Sequence, residues 1–233
     1  RIRRLGPLLW LLGAALLQPA PGQAARDRTR ATLARPAPVA PLPMPSAEVL
    51  AFLEWRARTR DNEGRNFVVI DKRAARLWLF DGSGRPLIQA PVLIGQARGD
   101  ASVPGIGERP VPLVLPHERT TPAGRFVAEA GRNALGEDVF WVDYEAAVSM
   151  HRVRTSHPEE RRLQRLASST AADNRISYGC INVPAEVFDR WLVPRLKGPR
   201  RTRGIVYVLP ETQPMTALFT PVSPGFAARG DSR

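Results

Sequence analysis

The sequence predicts a mostly β domain with a few short helices. Three observations carry this prediction. Short apolar runs are rich in β-branched and aromatic residues, Gly-, Asp- and Ser-containing turns separate them, and helical periodicity is confined to brief stretches. A length of 233 residues suits one principal domain with tails.

Taken in order, residues 1–24 read as an export signal. Arg1, Arg3 and Arg4 precede an apolar stretch over 5–17 that is too short to span a bilayer comfortably, and Gly22-Gln23-Ala24 offers a small-residue cleavage site. The expectation is a protein outside the cytoplasm, in the periplasm or another part of the cell envelope, with no stable membrane span after cleavage. Residues 25–45 hold Pro36, Pro38, Pro41, Pro43 and Pro45 among Ala and Arg and read as a semi-extended linker. The folded domain is expected over 46–212, with its core over 65–210.

Ser46 predicts a helix N-cap. Val49, Leu50, Leu53 and Ala57 predict the helix's apolar face, and Asn62-Glu63-Gly64 its end. Phe67-Val68-Val69-Ile70 predicts a strand. Arg76–Phe80 predicts a second, with Leu77 and Leu79 on one face and Trp78 and Phe80 on the other. Asp81-Gly82-Ser83-Gly84 reads as a hairpin turn, and 87–94 as a third strand that stops at Gly95. Further strands are predicted around 124–128, 139–144 and 147–151. Residues 154–174 form a charged insertion, read as a short amphipathic helix around Leu163 and Leu166 followed by a polar loop. Pro184 suits the first turn of a helix with Val187, Phe188, Trp191 and Leu192 as its buried stripe. Residues 205–209 predict a closing strand, and 213–233 a loose tail.

The net charge is +12, almost all of it arginine; Lys72 and Lys197 are the only lysines. The arginines are scattered, with no long basic block and little aromatic interleaving. That pattern argues against nucleic acid as a partner and for attraction to an anionic surface.

The chain has one cysteine, Cys180, in the run Ile176-Ser177-Tyr178-Gly179-Cys180-Ile181-Asn182-Val183-Pro184. A lone cysteine forms no internal disulfide, and an unpaired thiol in an exported chain is either buried or used. Gly179 permits a tight turn in which consecutive N–H groups face a developing oxyanion, and Ser177 can bond within that turn. The helix expected after Pro184 would direct its positive end toward the thiol. A base for this thiol must be histidine, and there are three. His117 lies in a proline-flanked loop and His157 in the charged insertion. His151 ends an apolar strand, a rigid place from which to aim a side chain, and position favours it. On these grounds alone an inert buried thiol and a half-buried structural histidine remain open. One cysteine and three dispersed histidines make no ligand cluster, so no metal or other cofactor is expected.

Ser177-Tyr178-Gly179-Cys180-Ile181-Asn182 resembles the signature of the L,D-transpeptidases, the YkuD-domain family. Thr121-Pro122-Ala123-Gly124-Arg125-Phe126 resembles that family's TPxGxF element. Val148-Ser149-Met150-His151 resembles the strand that delivers its catalytic histidine, and 67–95 its opening hairpin. The resemblance covers about 65–210. It implies a YkuD-like β-sandwich or mixed sheet. It implies Cys180 as the acylated nucleophile and His151 as a general base oriented by a backbone carbonyl. It implies an oxyanion hole from the N–H groups around Gly179 and Cys180, in a loop shaped by Ser177 and Tyr178. Asn182 would order the loop or touch substrate. The implied partners are peptidoglycan stem peptides, as donor and as acceptor. Arg161 and Arg175 are the arginines best placed in sequence to meet substrate carboxylates. Tyr178 stands where the family commonly has histidine, Arg152 where many members have glycine, and 152–176 make a long spacer containing the insertion. An L,D-carboxypeptidase, a protein-to-peptidoglycan linking or cleaving enzyme, and a non-catalytic envelope-binding domain are the alternative readings.

Overall fold

The computed structural model describes residues 42–199 and 203–220. The expected export signal and most of the expected linker lie outside the described residues.

Helix α1 (Ala47–Thr59) starts where Ser46 accepts a hydrogen bond from the Val49 amide, at 3.2 Å. Strands β1 (Phe67–Asp71), β2 (Arg76–Phe80) and β3 (Pro86–Pro91) follow as antiparallel neighbours. The short β4 (Ile94–Gly95) comes next, then a loop of 3₁₀ turns. Next come β5 (Gly124–Val127), β6 (Glu129–Arg132), β7 (Asp138–Asp143) and β8 (Val148–Arg152). The insertion carries α2 (Arg162–Ala167). Strands β9 (Arg175–Ser177) and β10 (Ile181–Val183) bracket Cys180. Helix α3 (Ala185–Val187) then runs through a π-helical turn into α4 (Val193–Leu196), and β11 (Ile205–Val208) closes the fold.

The result is mostly β with mixed sheets. One sheet has the order β3-β2-β1-β11-β5, and a second the order β10-β8-β7-β6; β4 and β9 form a small third. Val68, Ile70, Leu77, Leu79, Val206 and Val208 of the first sheet pack against Phe140, Val148, Met150, Ile181 and Val183 of the second. On its other face the first sheet carries α1 over Phe67, Val69, Trp78, Phe80 and Tyr207. A sheet covered on both sides has no face for polar residues, which explains why β1 reads as an unbroken apolar run and is buried throughout.

Four sequence expectations are corrected. The buried face of α1 is Val49, Phe52 and Trp55, whereas Leu50 and Ala57 are exposed. The ring of Phe52 lies 4.7 Å from that of Tyr207, so the aromatic cluster sets the helix rotation. The third strand is broken: β3 ends at Pro91, which has no N–H to continue a ladder, and Leu93 bridges to Asn182 instead. The strands β6, β9 and β10 were not expected, being short or polar. Lastly, residues 213–220 do not hang loose. Phe219 is buried against Phe52 and Trp55, and the Trp55 indole donates to the Thr220 carbonyl at 2.8 Å.

Candidate active site

Strands β8 and β10 build the site. They pair in parallel, with Ile181 opposite Met150 and Asn182 opposite His151. Side chains alternate along each strand. Val148, Met150, Ile181 and Val183 therefore enter the core, and Ser149, His151, Cys180 and Asn182 share the outer face. Cys180 and His151 are diagonal neighbours on that face. Strands about 4.8 Å apart with about 3.3 Å per residue put their Cα atoms about 8 Å apart.

Cys180 is half-buried. Its Sγ lies 3.7 Å from Ser149 Oγ and 3.7 Å from the Ala147 carbonyl, which accepts from the thiol. His151 Nδ1 lies 2.7 Å from the carbonyl of Arg152. A carbonyl only accepts, so Nδ1 carries the proton and Nε2 keeps the lone pair. Burial holds His151 below its ordinary 6.5, and the Arg154 and Arg162 cations push the same way; the Arg152 carbonyl and Glu137 oppose them. Burial thus favours the neutral form of the imidazole.

The loop between β9 and β10 is held at both ends. The Ser177 hydroxyl donates to the Cys180 carbonyl at 2.6 Å and accepts the Gly179 amide at 3.1 Å. Asn182 Nδ2 donates to the same Cys180 carbonyl at 3.3 Å. Gly179 has φ +128°, and a Cβ there would stand 2.8 Å from the Thr120 carbonyl. Only glycine fits that turn without strain. The expectation of two oxyanion donors changes accordingly. The Gly179 N–H is spent on Ser177, while the Cys180 N–H has no protein acceptor among the described residues.

The helix expected to aim at the thiol does not do so. Strand β10 intervenes, and at about 3.3 Å per residue the first helical residue, Ala185, lies about 10 Å or more down the chain. The dipole effect fades within one turn. Arg175 also departs from its expected role. Its guanidinium is buried and donates to the carbonyls of Lys72, Gly95 and Ala97 and to Glu211. It ties the loop base together and has no face left for substrate. Arg161 is exposed on the insertion, at the start of α2. Asn182 is buried beneath Arg162 and bonds inside the site rather than toward solvent.

Tyr178 is exposed, and the Arg119 guanidinium lies 3.9 Å from the centre of its ring. Arg119 is itself held by the Val114 carbonyl and Gln96 Oε1. Tyr178 thus supplies a platform for the loop beside the thiol. The Arg152 guanidinium lies over the ring of Phe188 and donates to Asp189, while its carbonyl meets His151. A cleft of about 390 Å³ opens beside His151, lined by residues that include Glu137, Asp138, Arg152 and Arg154.

Four residues of the site were not assigned a role by sequence reasoning: Thr121, Ser149, Arg119 and Arg162. Thr121 Oγ1 donates to the Gly179 carbonyl and accepts the Gly95 amide, both at 2.8 Å. Its motif was legible but its reach across the fold was not. Arg162 donates to Asn182 Oδ1 at 2.5 Å, twenty positions away, and no sequence spacing signals that contact. Among the described residues no group of three or more His, Cys, Asp and Glu is placed to hold a metal ion.

No protein-family model and no curated protein matches the chain. Among solved structures, the chain is similar to the catalytic domain of an E. faecium L,D-transpeptidase. That match has 17% identity and a TM-score of 0.40, over 63% of this chain and 98% of that one. It is similar to Bd1075 of Bdellovibrio bacteriovorus at 15% identity and a TM-score of 0.38, over 64% of this chain and 48% of that one. An L,D-transpeptidase from Xylanimonas cellulosilytica matches at 17% identity and a TM-score of 0.36, over 62% and 60% respectively.

Proposed function

We propose that the chain is a cysteine-dependent L,D-transpeptidase acting on peptidoglycan stem peptides outside the cytoplasm. One observation carries the reading. A half-buried thiol and a neutral imidazole share one sheet face, with the imidazole proton fixed on Nδ1 by a backbone carbonyl.

The chemistry follows from that arrangement. His151 Nε2 takes the thiol proton, and Cys180 Sγ attacks the carbonyl of the donor stem's diamino acid. The Cys180 N–H faces the oxyanion. The tetrahedral adduct collapses, the terminal D-alanine leaves as an amine with the proton from His151, and a thioester remains. An acceptor amine then attacks that thioester, gives a proton to His151 and releases the thiolate, which recovers the proton. A water acceptor would make the enzyme a carboxypeptidase, and a protein lysine would make a protein-to-wall link. In this reading the cleft that His151 lines is assigned to the acceptor. The positive charge of the chain favours residence near anionic envelope polymers.

The test is intact-mass analysis after exposure to a carbapenem, whose strained lactam carbonyl presents the same electrophile. One adduct is expected on the wild-type protein and none on Cys180→Ala. An adduct that persists in Cys180→Ala, or none on wild type, removes the nucleophile assignment. Incubation with tetrapeptide stems then separates a cross-linked dimer from a trimmed tripeptide.

A further inference from the structure

The insertion over 154–174 reaches into the site through one side chain. Arg162 Nη1 donates to Asn182 Oδ1 at 2.5 Å, while Arg162 Nε is held by Glu160 at 2.5 Å. Asn182 is 1% exposed. Its Nδ2 stands 3.3 Å from the Cys180 carbonyl and 3.5 Å from His151 Nε2. A guanidinium only donates, so it selects the amide oxygen and turns the amide nitrogen toward the imidazole.

We propose that Arg162 is a positioning residue for His151, fixing the Asn182 amide so that Nδ2 rather than Oδ1 faces Nε2. This rests on the reading of His151 as the base. An N–H aimed at Nε2 is compatible only with a lone pair there, which is the form that accepts the thiol proton. A flipped amide would present Oδ1, which stabilises a protonated Nε2 and removes the base. The contact also holds Nε2 until substrate arrives, since the amide N–H retains the Cys180 carbonyl as its second acceptor.

The groups facing the imidazole set what a test must separate. From the β6–β7 turn comes Glu137, from the end of β8 the Arg152 carbonyl, from just beyond it Arg154, and from the insertion Arg162; β10 contributes Asn182, and Cys180 immediately precedes it. Glu137 is already engaged by Arg154 and by Asn133. Arg162 is thus the one of these charges that also fixes the polarity of a neutral group in contact with Nε2.

The experiment is ring-nitrogen NMR of the full chain labelled at its three histidines. His151→Gln assigns the signal, and pH titrations are run on wild type, Arg162→Met and Arg162→Lys. In wild type Nδ1 carries the proton. In Arg162→Met the His151 titration moves up by about one pH unit and the neutral ring gains the Nε2–H tautomer. Carbapenem acylation of that variant falls several-fold near pH 6, where the raised titration and the lost Nε2 lone pair act together, and by less above about pH 8, where the tautomer alone acts. Arg162→Lys, which still donates, returns both readouts toward wild type. If Arg162→Met does not fold, Arg162→Ser leaves room for water at the amide and carries the same test. An unmoved titration and tautomer in a folded variant overturns the proposal, as does an acylation loss equal at every pH. If wild type itself is never acylated, the nucleophile reading fails, while the NMR still decides what Arg162 does.

Discussion

At the scale of single residues, the site depends on where one proton sits. The Arg152 carbonyl keeps it on His151 Nδ1, and burial with two nearby cations keeps the ring neutral. His151→Gln should therefore cost about 10²–10⁴-fold in acylation rate, measured by stopped mass spectrometry. The depressed titration also sets the pH dependence. The rate should rise with pH along a limb whose midpoint lies below the ordinary 6.5. By linkage, the native state resists protonation of this ring. Its contribution to stability is present above 6.5 and is lost as pH falls through the folded value. A limb centred above 6.5 would remove His151 from the role. At Gly179, φ +128° and a 2.8 Å approach to Thr120 leave no room for a methyl group. Gly179→Ala should cost about 1–3 kcal/mol in chemical denaturation and shift the Cys180 amide as well.

At the scale of elements, β8 and β10 hold the candidate site because their period-two alternation separates two tasks. Met150 and Ile181 anchor the strands in the core, and their neighbours His151 and Cys180 are left on the outer face. A one-residue slip would reverse both sets, so the apolar residues enforce the register of the site. The 205–220 segment does the same for α1. Phe219 closes an aromatic cluster with Phe52, Trp55 and Tyr207. Phe219→Ala should destabilise the fold by about 3–5 kcal/mol, read from the thermal midpoint, with the acylation rate of the folded fraction unchanged. A midpoint within error of wild type would mean that residues 213–220 are not part of the cooperative unit.

At the scale of the whole molecule, one buried ion cluster joins distant parts of the chain behind the Cys180 loop. Lys72 Nζ donates to Asp100 at 2.9 Å and to the Thr121 carbonyl at 2.9 Å; Glu211 pairs with both Lys72 and Arg175. Burial pushes Lys72 down, and Asp100 and Glu211 oppose this. Burial alone would raise Asp100, but the Thr212 hydroxyl, Lys72 and two backbone amides hold it well below the carboxylate range. Removing one member leaves a buried charge uncompensated. Asp100→Asn should cost about 3–5 kcal/mol at pH 7 and loosen Thr121, which holds Gly179. Hydrogen exchange at the Gly179 amide would show that loosening; protection equal to wild type would place the cluster outside the site's support.

The residues themselves determined the mostly β class and the opening hairpin with its two-faced second strand, and they singled out a lone thiol and a strand-end histidine. These are local properties: alternation, turn chemistry and the scarcity of Cys and His. Tertiary structure decided the rest. It set the rotation of α1, because three aromatic rings outweigh a helical stripe that includes Leu50 and Ala57. It made Arg175 a structural anchor and brought Arg162 to Asn182, because a guanidinium's role depends on which carbonyls and carboxylates the fold brings within about 3 Å. It left the Gly179 amide to Ser177 and inserted β10 between the thiol and the following helix. Hydrogen-bond partners far apart in the chain carry no period in the sequence, so only the assembled sheets could assign them.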